Sequence, residues 1–153
     1  MIIIGSTNLK IRGLISRKPH DLDVCYNEKL IPIKKYVKKY NISLDIAYNK
    51  EHKDYWEYHK YKNRDIKLQT LYIVLFYSYK SHKHHKNIRL TKKTKYTPTR
   101  QNERDLINVF HNLGREKSLE EIDNIKNNTP INEDDVKELL NLMEIGISNE
   151  TEI

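Results

Sequence analysis

The hydrophobic pattern changes period along this chain. Ile42, Leu44, Ile46 and Tyr48 alternate with Ser43, Asp45 and Ala47, a period of two that belongs to a strand with two chemically different faces. Leu106, Val109, Phe110 and Leu113, and later Val136, Leu139, Leu140 and Met143, recur at three and four residues, the stripe of an amphipathic helix. A chain patterned both ways must build a sheet in its first part and a helical layer in its last. Its 153 residues suit one domain or one core with an extension.

The remaining segments fill in that outline. Ile2–Ile4, ended by Gly5, reads as a buried strand running into a turn. Thr7 or Asn8 then caps a short helix to about Arg12, and Leu22–Tyr26 is a second strand. Ile33, Tyr36, Val37 and Tyr40 mark a helix whose other face carries Lys34, Lys35, Lys38 and Lys39. Residues 50–64 are polar and aromatic and read as helical or irregular. Asp65 to about Ser81 holds the densest apolar run, and its length favours a buried helix. Lys83–Thr99 has no periodicity and reads as an exposed mobile loop. Gly114 stops the first C-terminal helix, Ser118 with Glu121 resembles a capping box for the next, and the third ends before Gly146. The expected architecture is therefore α+β (α/β): a small mixed sheet with helices packed on it. Residues 1–100 form the core with its basic loop, 101–147 a helical extension packed on the core, and 148–153 a disordered tail.

Charge is distributed unevenly. The total is +7, yet residues 1–100 hold 23 Lys and Arg against 8 Asp and Glu, and residues 101–153 hold 5 against 13. A basic excess of that kind attracts polyanions, so nucleic acid or a nucleotide phosphate is the natural partner. An A and T-rich genome yields much the same lysine and asparagine-rich composition, and only 7 of the 28 cations are arginine. Cys25 is the single cysteine, which excludes an internal disulfide scaffold and fits a reducing, cytoplasmic setting. No apolar run approaches the roughly 20 residues of a membrane-spanning helix, and the N-terminus lacks the features of a secretory signal. No membrane partner is expected.

Chemistry concentrates at Asp21-Leu22-Asp23-Val24. In an extended strand both aspartates share one face, and carboxylates so close repel unless a cation lies between them. Hard divalent ions favour such oxygen donors. Asp45 sits on the small-residue face of its own strand, so adjacency of the two strands would converge three carboxylates. His82, His84 and His85 raise the thought of zinc, but their spacing does not specify a site and no cysteine pair supports one. The basic stretch Lys80–Lys95, flanked by Tyr79 and Tyr96, is better suited to phosphate contact or base stacking.

Gly5-Ser6, Asp21-Leu22-Asp23-Val24 and Leu44-Asp45-Ile46 together resemble the pattern of the nucleotidyltransferase superfamily, with its DNA polymerase β-like fold. The likeness is closest to minimal single-domain viral or bacterial members, and Arg17-Lys18-Pro19-His20 is similar to their lead-in. It covers about residues 1–48, with a spacer from Ser6 to Asp21 slightly longer than usual. The resemblance implies a metal-dependent enzyme that moves a nucleoside monophosphate from an NTP to a hydroxyl of RNA, protein or a small molecule. Asp21, Asp23 and Asp45 would be its catalytic and metal-binding residues, with Mg2+ or Mn2+ as cofactor. Gly5 and Ser6 would bind the nucleotide phosphates, with Lys10, Arg12, Arg17 or Lys18 assisting. Lys34, Lys35, Lys38, Lys83, Lys86 and Arg89 are the expected contacts to RNA or DNA. The alternative is a catalytically inactive nucleotidyltransferase-like module that binds nucleic acid through its basic face. A third reading has the acidic helical end masking a basic partner.

Overall fold

A computed structural model describes residues 2–25, 43–47, 56–92 and 101–148, without the side chains of 21, 43–47, 85 and 87–92. It is a mixed α+β structure in two compact units, residues 1–74 and 75–153.

The first unit is a five-stranded sheet in the order β3-β2-β1-β5-β4. β1 (Ile2–Ile3) is central, antiparallel to β2 (Asp21–Cys25) and parallel to β5 (Arg64–Gln69). β2 runs parallel to β3 (Ser43–Ala47), and β4 (Trp56–Tyr61) closes the other side as an antiparallel hairpin with β5. Strand alternation sorts the core into two layers. Ile3, Val24 and Leu68 form one, joined by Ile11, Leu22 and Ile66; Ile2, Ile4 and Cys25, joined by Trp56, form the other.

Helix α1 (Gly5–Ile11) begins directly at the end of β1. Its N-cap is Ile4, with no side-chain cap, so neither Thr7 nor Asn8 serves as the expected cap. Asn8 is instead buried inside the helix, where its Nδ2 donates to Ile3 O at 2.9 Å and Gln69 O at 3.0 Å. A buried amide with two carbonyl partners ties α1 to the ends of β1 and β5 more firmly than an exposed cap would.

Three expectations downstream require correction. The 50–64 region contains a strand, β4, and the apolar run from Asp65 splits into strand β5 and helix α2 (Leu71–Lys92). The hairpin turns at Lys62 and Asn63, both with positive φ (50° and 64°), the conformation of a two-residue turn that matches strand twist. Thr70 marks the switch to helix: its carbonyl accepts from Ile73 N at 3.1 Å and Val74 N at 3.2 Å. Lys83–Lys92 continues that helix and is not a loop; residues 93–100 lie outside the described residues. The helix expected around Ile33–Tyr40 and most of the 148–153 tail lie outside them as well.

The second unit comprises the rest of α2 with α3 (Gln101–Asn128) and α4 (Glu133–Ser148). Gly114 breaks α3 with φ 79° and ψ 172°, as its position after the apolar stripe predicts. Ser118 is buried and its Oγ donates across the break to Phe110 O at 3.3 Å, so it is a brace and not an N-cap. Asn132 Oδ1 accepts from Asp135 N at 2.8 Å and caps α4. That helix does not stop before Gly146. A Cβ there would lie 2.6 Å from Ile107 O, so the glycine permits close approach of α3 and α4. Phe110, Leu106, Ile125, Leu139 and Met143 are buried in this unit. No described helix is long and apolar enough to cross a membrane.

Candidate functional site

In the β2–β3 ladder Asp21 pairs with Ser43, and Asp23 directly faces Asp45. Residues opposite in a ladder share a face, and so do residues two apart on one strand. Asp21, Asp23 and Asp45 therefore lie on one face of the sheet. That face also carries Ile2 and Cys25, because Cys25 pairs with Ile2. The strands of such a pair are about 4.8 Å apart, a spacing at which two ionised carboxylates repel strongly unless a cation is shared.

The β1–α1 turn meets this row. Ile4 N donates to Asp23 O at 3.0 Å, and Asp23 N lies 3.4 Å from Thr7 Oγ1. Gly5 has φ +61°, and a Cβ on it would come within 2.5 Å of Asp23 Oδ2. Both conformation and space thus call for glycine, and the Asp23 carboxylate lies against the first residue of α1. Carboxylates as a class are hard oxygen donors, the kind that Mg2+ and Mn2+ prefer.

The cations expected to help divide by position. Arg17 and Lys18 precede the Asp21 end of β2 in the chain, Arg17 half-buried and Lys18 exposed. Lys10 is exposed and donates to Ser16 O at 2.7 Å. Arg12, at the far end of α1, donates to Asn8 Oδ1 at 2.8 Å, Gln69 O at 2.9 Å and Glu57 Oε1 at 2.5 Å. Three acceptors from α1, β4 and β5 make it a clamp between elements of the sheet unit. Lys34, Lys35 and Lys38 lie outside the described residues.

Lys83 and Lys86 are on α2 in the second unit, where α4 supplies their partners. Lys83 Nζ is 2.8 Å from Asp135 Oδ1, and Lys86 Nζ is 3.3 Å from Glu138 Oε1. Arg89 falls on the same helix. Tyr79, almost fully buried, places its hydroxyl 2.8 Å from Asp135 Oδ1 and 2.7 Å from Glu138 Oε2, sharing one proton between two carboxylates. It therefore cannot stack on a base; Tyr96 lies outside the described residues. His82, 5% exposed, sits 3.2 Å from Glu138 Oε1. Burial first, and then the two carboxylates, push the Tyr79 hydroxyl well above its ordinary value. Burial opposes ionisation of Glu138, but hydrogen bonds from Tyr79, His82 and Lys86 outweigh it and hold the carboxyl below its usual range. Its hydrogen bond to Asp135 raises Lys83. Among the described residues no group of three or more His, Cys, Asp or Glu is arranged to hold a metal ion.

One feature is absent from the sequence-based expectations. Trp56 and Tyr58 share a face of β4 and pack edge to face, with ring centroids 5.0 Å apart. Tyr58 is 67% exposed and Tyr61 43%, so these tyrosines are not core. Alternation of Trp56, Tyr58 and Lys60 ahead of an asparagine turn was the available signal.

Comparison of the chain with protein-family models, curated proteins and solved structures returns no match.

Proposed function

We propose that the protein is a metal-dependent nucleotidyltransferase, a minimal single-domain member of the superfamily whose motifs its first strands resemble. The observation that supports this reading most is the β2–β3 register, which sets Asp23 opposite Asp45 with Asp21 on the same face. Side-by-side acids destabilise a small sheet unless they have a use, and binding a divalent ion is the use their chemistry favours.

When bound, the ion supplies positive charge against the triphosphate and against the charge that develops at the attacked phosphorus. Asp21, Asp23 and Asp45 would hold it, and Asp45 would also draw the proton from an acceptor hydroxyl. Gly5 keeps the turn open beside Asp23, so that Ser6 and adjoining amides meet the terminal phosphates. Arg17 and Lys18, leading into β2, are the cations best placed to join them. Arg12 serves the fold.

The test is transfer of label from α-labelled NTPs in Mg2+ or Mn2+ to RNA, protein and small-molecule acceptors. Label should be transferred by the natural chain and lost in the Asp21→Ala, Asp23→Ala double variant. Labelling that persists in that variant removes the assigned site.

A further inference from the structure

The β4–β5 hairpin lies on the opposite side of the sheet from the acidic strands, and its register fixes which residues share their face. Ile2 pairs with both Cys25 and Lys67, Lys67 pairs with Tyr58, and Gln69 pairs with Trp56. Trp56, Tyr58 and Lys67 therefore occupy the same face as Asp21, Asp23 and Asp45. From β2 to β4 is three strand spacings, about 14 Å. All of this lies within the first unit.

The patch has the makings of a stacking platform. Tyr58 is 67% exposed and is backed by the Trp56 ring edge to face. Lys67 Nζ sits 4.5 Å from the centre of the Trp56 ring, so a cation is held beside the aromatic pair. Lys60, Lys62 and Arg64 are exposed along the strand and at its tip. Asp65, opposite Lys60, offsets one of these charges, while Glu57 is on the other face and is held by Arg12. The hairpin is left net positive, with flat rings between its cations.

We infer that this side of the hairpin binds a single-stranded polynucleotide, stacking a base on Tyr58 and meeting its phosphates with Lys67, Lys60 and the cationic tip. Only unpaired bases present a π-face to an exposed ring, so the platform selects single strands over duplex and tolerates any base. Resting on the transferase reading, it makes the acceptor a polynucleotide whose terminal hydroxyl lies at the carboxylates while an upstream base rests on the hairpin.

Trp56 is the chain's one tryptophan and reports directly on the platform. The natural chain is titrated with oligouridylate, oligothymidylate and a duplex of equal length, following its fluorescence. Both single strands should quench it, the duplex far less. Tyr58→Ala should weaken binding about tenfold, the loss of one stack, and Tyr58→Phe should retain it. Lys62→Ala should flatten the salt dependence by about 0.7 log units of affinity per log unit of salt if it meets one phosphate. Equal quenching by duplex, natural affinity in Tyr58→Ala, or no binding of single strands overturns the inference. So does concentration-dependent self-association that Tyr58→Ala abolishes, which would assign the β4 edge to a second copy of the chain. Binding that survives in a chain inert towards every NTP removes the transferase and leaves the platform. Transfer to a non-nucleic acceptor, undiminished by Tyr58→Ala, does the reverse.

Discussion

The two units use carboxylates in opposite ways. In the second, Asp135 and Glu138 of α4 each meet donors from α2, and every contact among Tyr79, His82, Lys83 and Lys86 lies between 2.7 and 3.3 Å. In the first, the ladder brings Asp23 against Asp45, one acid beside another. Acids matched with donors hold the helices of the second unit together; the facing acids of the sheet are the pair on which the transferase proposal rests.

The largest expected effect breaks that contrast at the proposed site. Asp23→Asn should lower nucleotidyl transfer about 10²- to 10³-fold, the scale for removing one electrostatic group from a reacting centre. Thermal unfolding without metal should show the variant no less stable than the natural chain, because Asn keeps the side chain's size and its oxygen acceptor while removing a charge that the ladder sets opposite Asp45. A large loss of stability would mean that Asp23 is structural, as Glu138 is.

Gly5→Ala tests the turn that frames the site. A positive φ costs a side chain about 1–2 kcal/mol, and the new methyl would also displace the Asp23 carboxylate. Chemical denaturation should register the loss, and transfer should fall with it.

Tyr79→Phe addresses the structural cluster and should destabilise the chain by about 1–3 kcal/mol, since two half-buried carboxylates lose their shared donor. Acid should act on the same contacts. Glu138 titrates below its ordinary 4.5 in the folded chain, so its stabilising contribution is complete above that pH. It is lost as pH falls through the lower folded value, because the unfolded chain takes up the proton more readily. Denaturation midpoints followed from pH 6 downward should therefore drop below about 4.5 in the natural chain and drop less in Glu138→Gln. Smallest of all, Lys86→Met removes a half-exposed ion pair and should change stability by less than about 1 kcal/mol. A loss as large as that of Tyr79→Phe would show the cluster acting as one network.

Legibility followed the kind of signal each region carries. Strands β2 and β3 were readable because alternation of large and small side chains over five or more residues has no helical counterpart, and the Asp-x-Asp face came with them. The run after Asp65 was misread because Ile66 and Leu68 feed a strand while Leu71 onward feeds a helix, and an unbroken apolar run hides that boundary. Lys83–Lys92 was misread for a different reason. The inner stripe there is Tyr79, His82, Lys83 and Lys86, a helical spacing written in polar residues whose partners lie some fifty positions away. Ser118 and Asn8 matched local capping rules, yet both are buried: Asn8 bonds to Gln69 O in β5, and Ser118 bonds to Phe110 O across the Gly114 break.

The sequence by itself determined the mixed α+β class, the Gly5 turn, the shared face of Asp21 and Asp23, and the break at Gly114, since each follows from local periodicity or from a backbone conformation few residues adopt. Only the tertiary structure decided that Asp45 stands opposite Asp23, that Arg12 clamps the sheet, that Lys83 and Lys86 meet α4, and that Tyr58 shares the acids' face. Strand order and register join residues far apart in the chain, and no local pattern encodes which strand lies beside which.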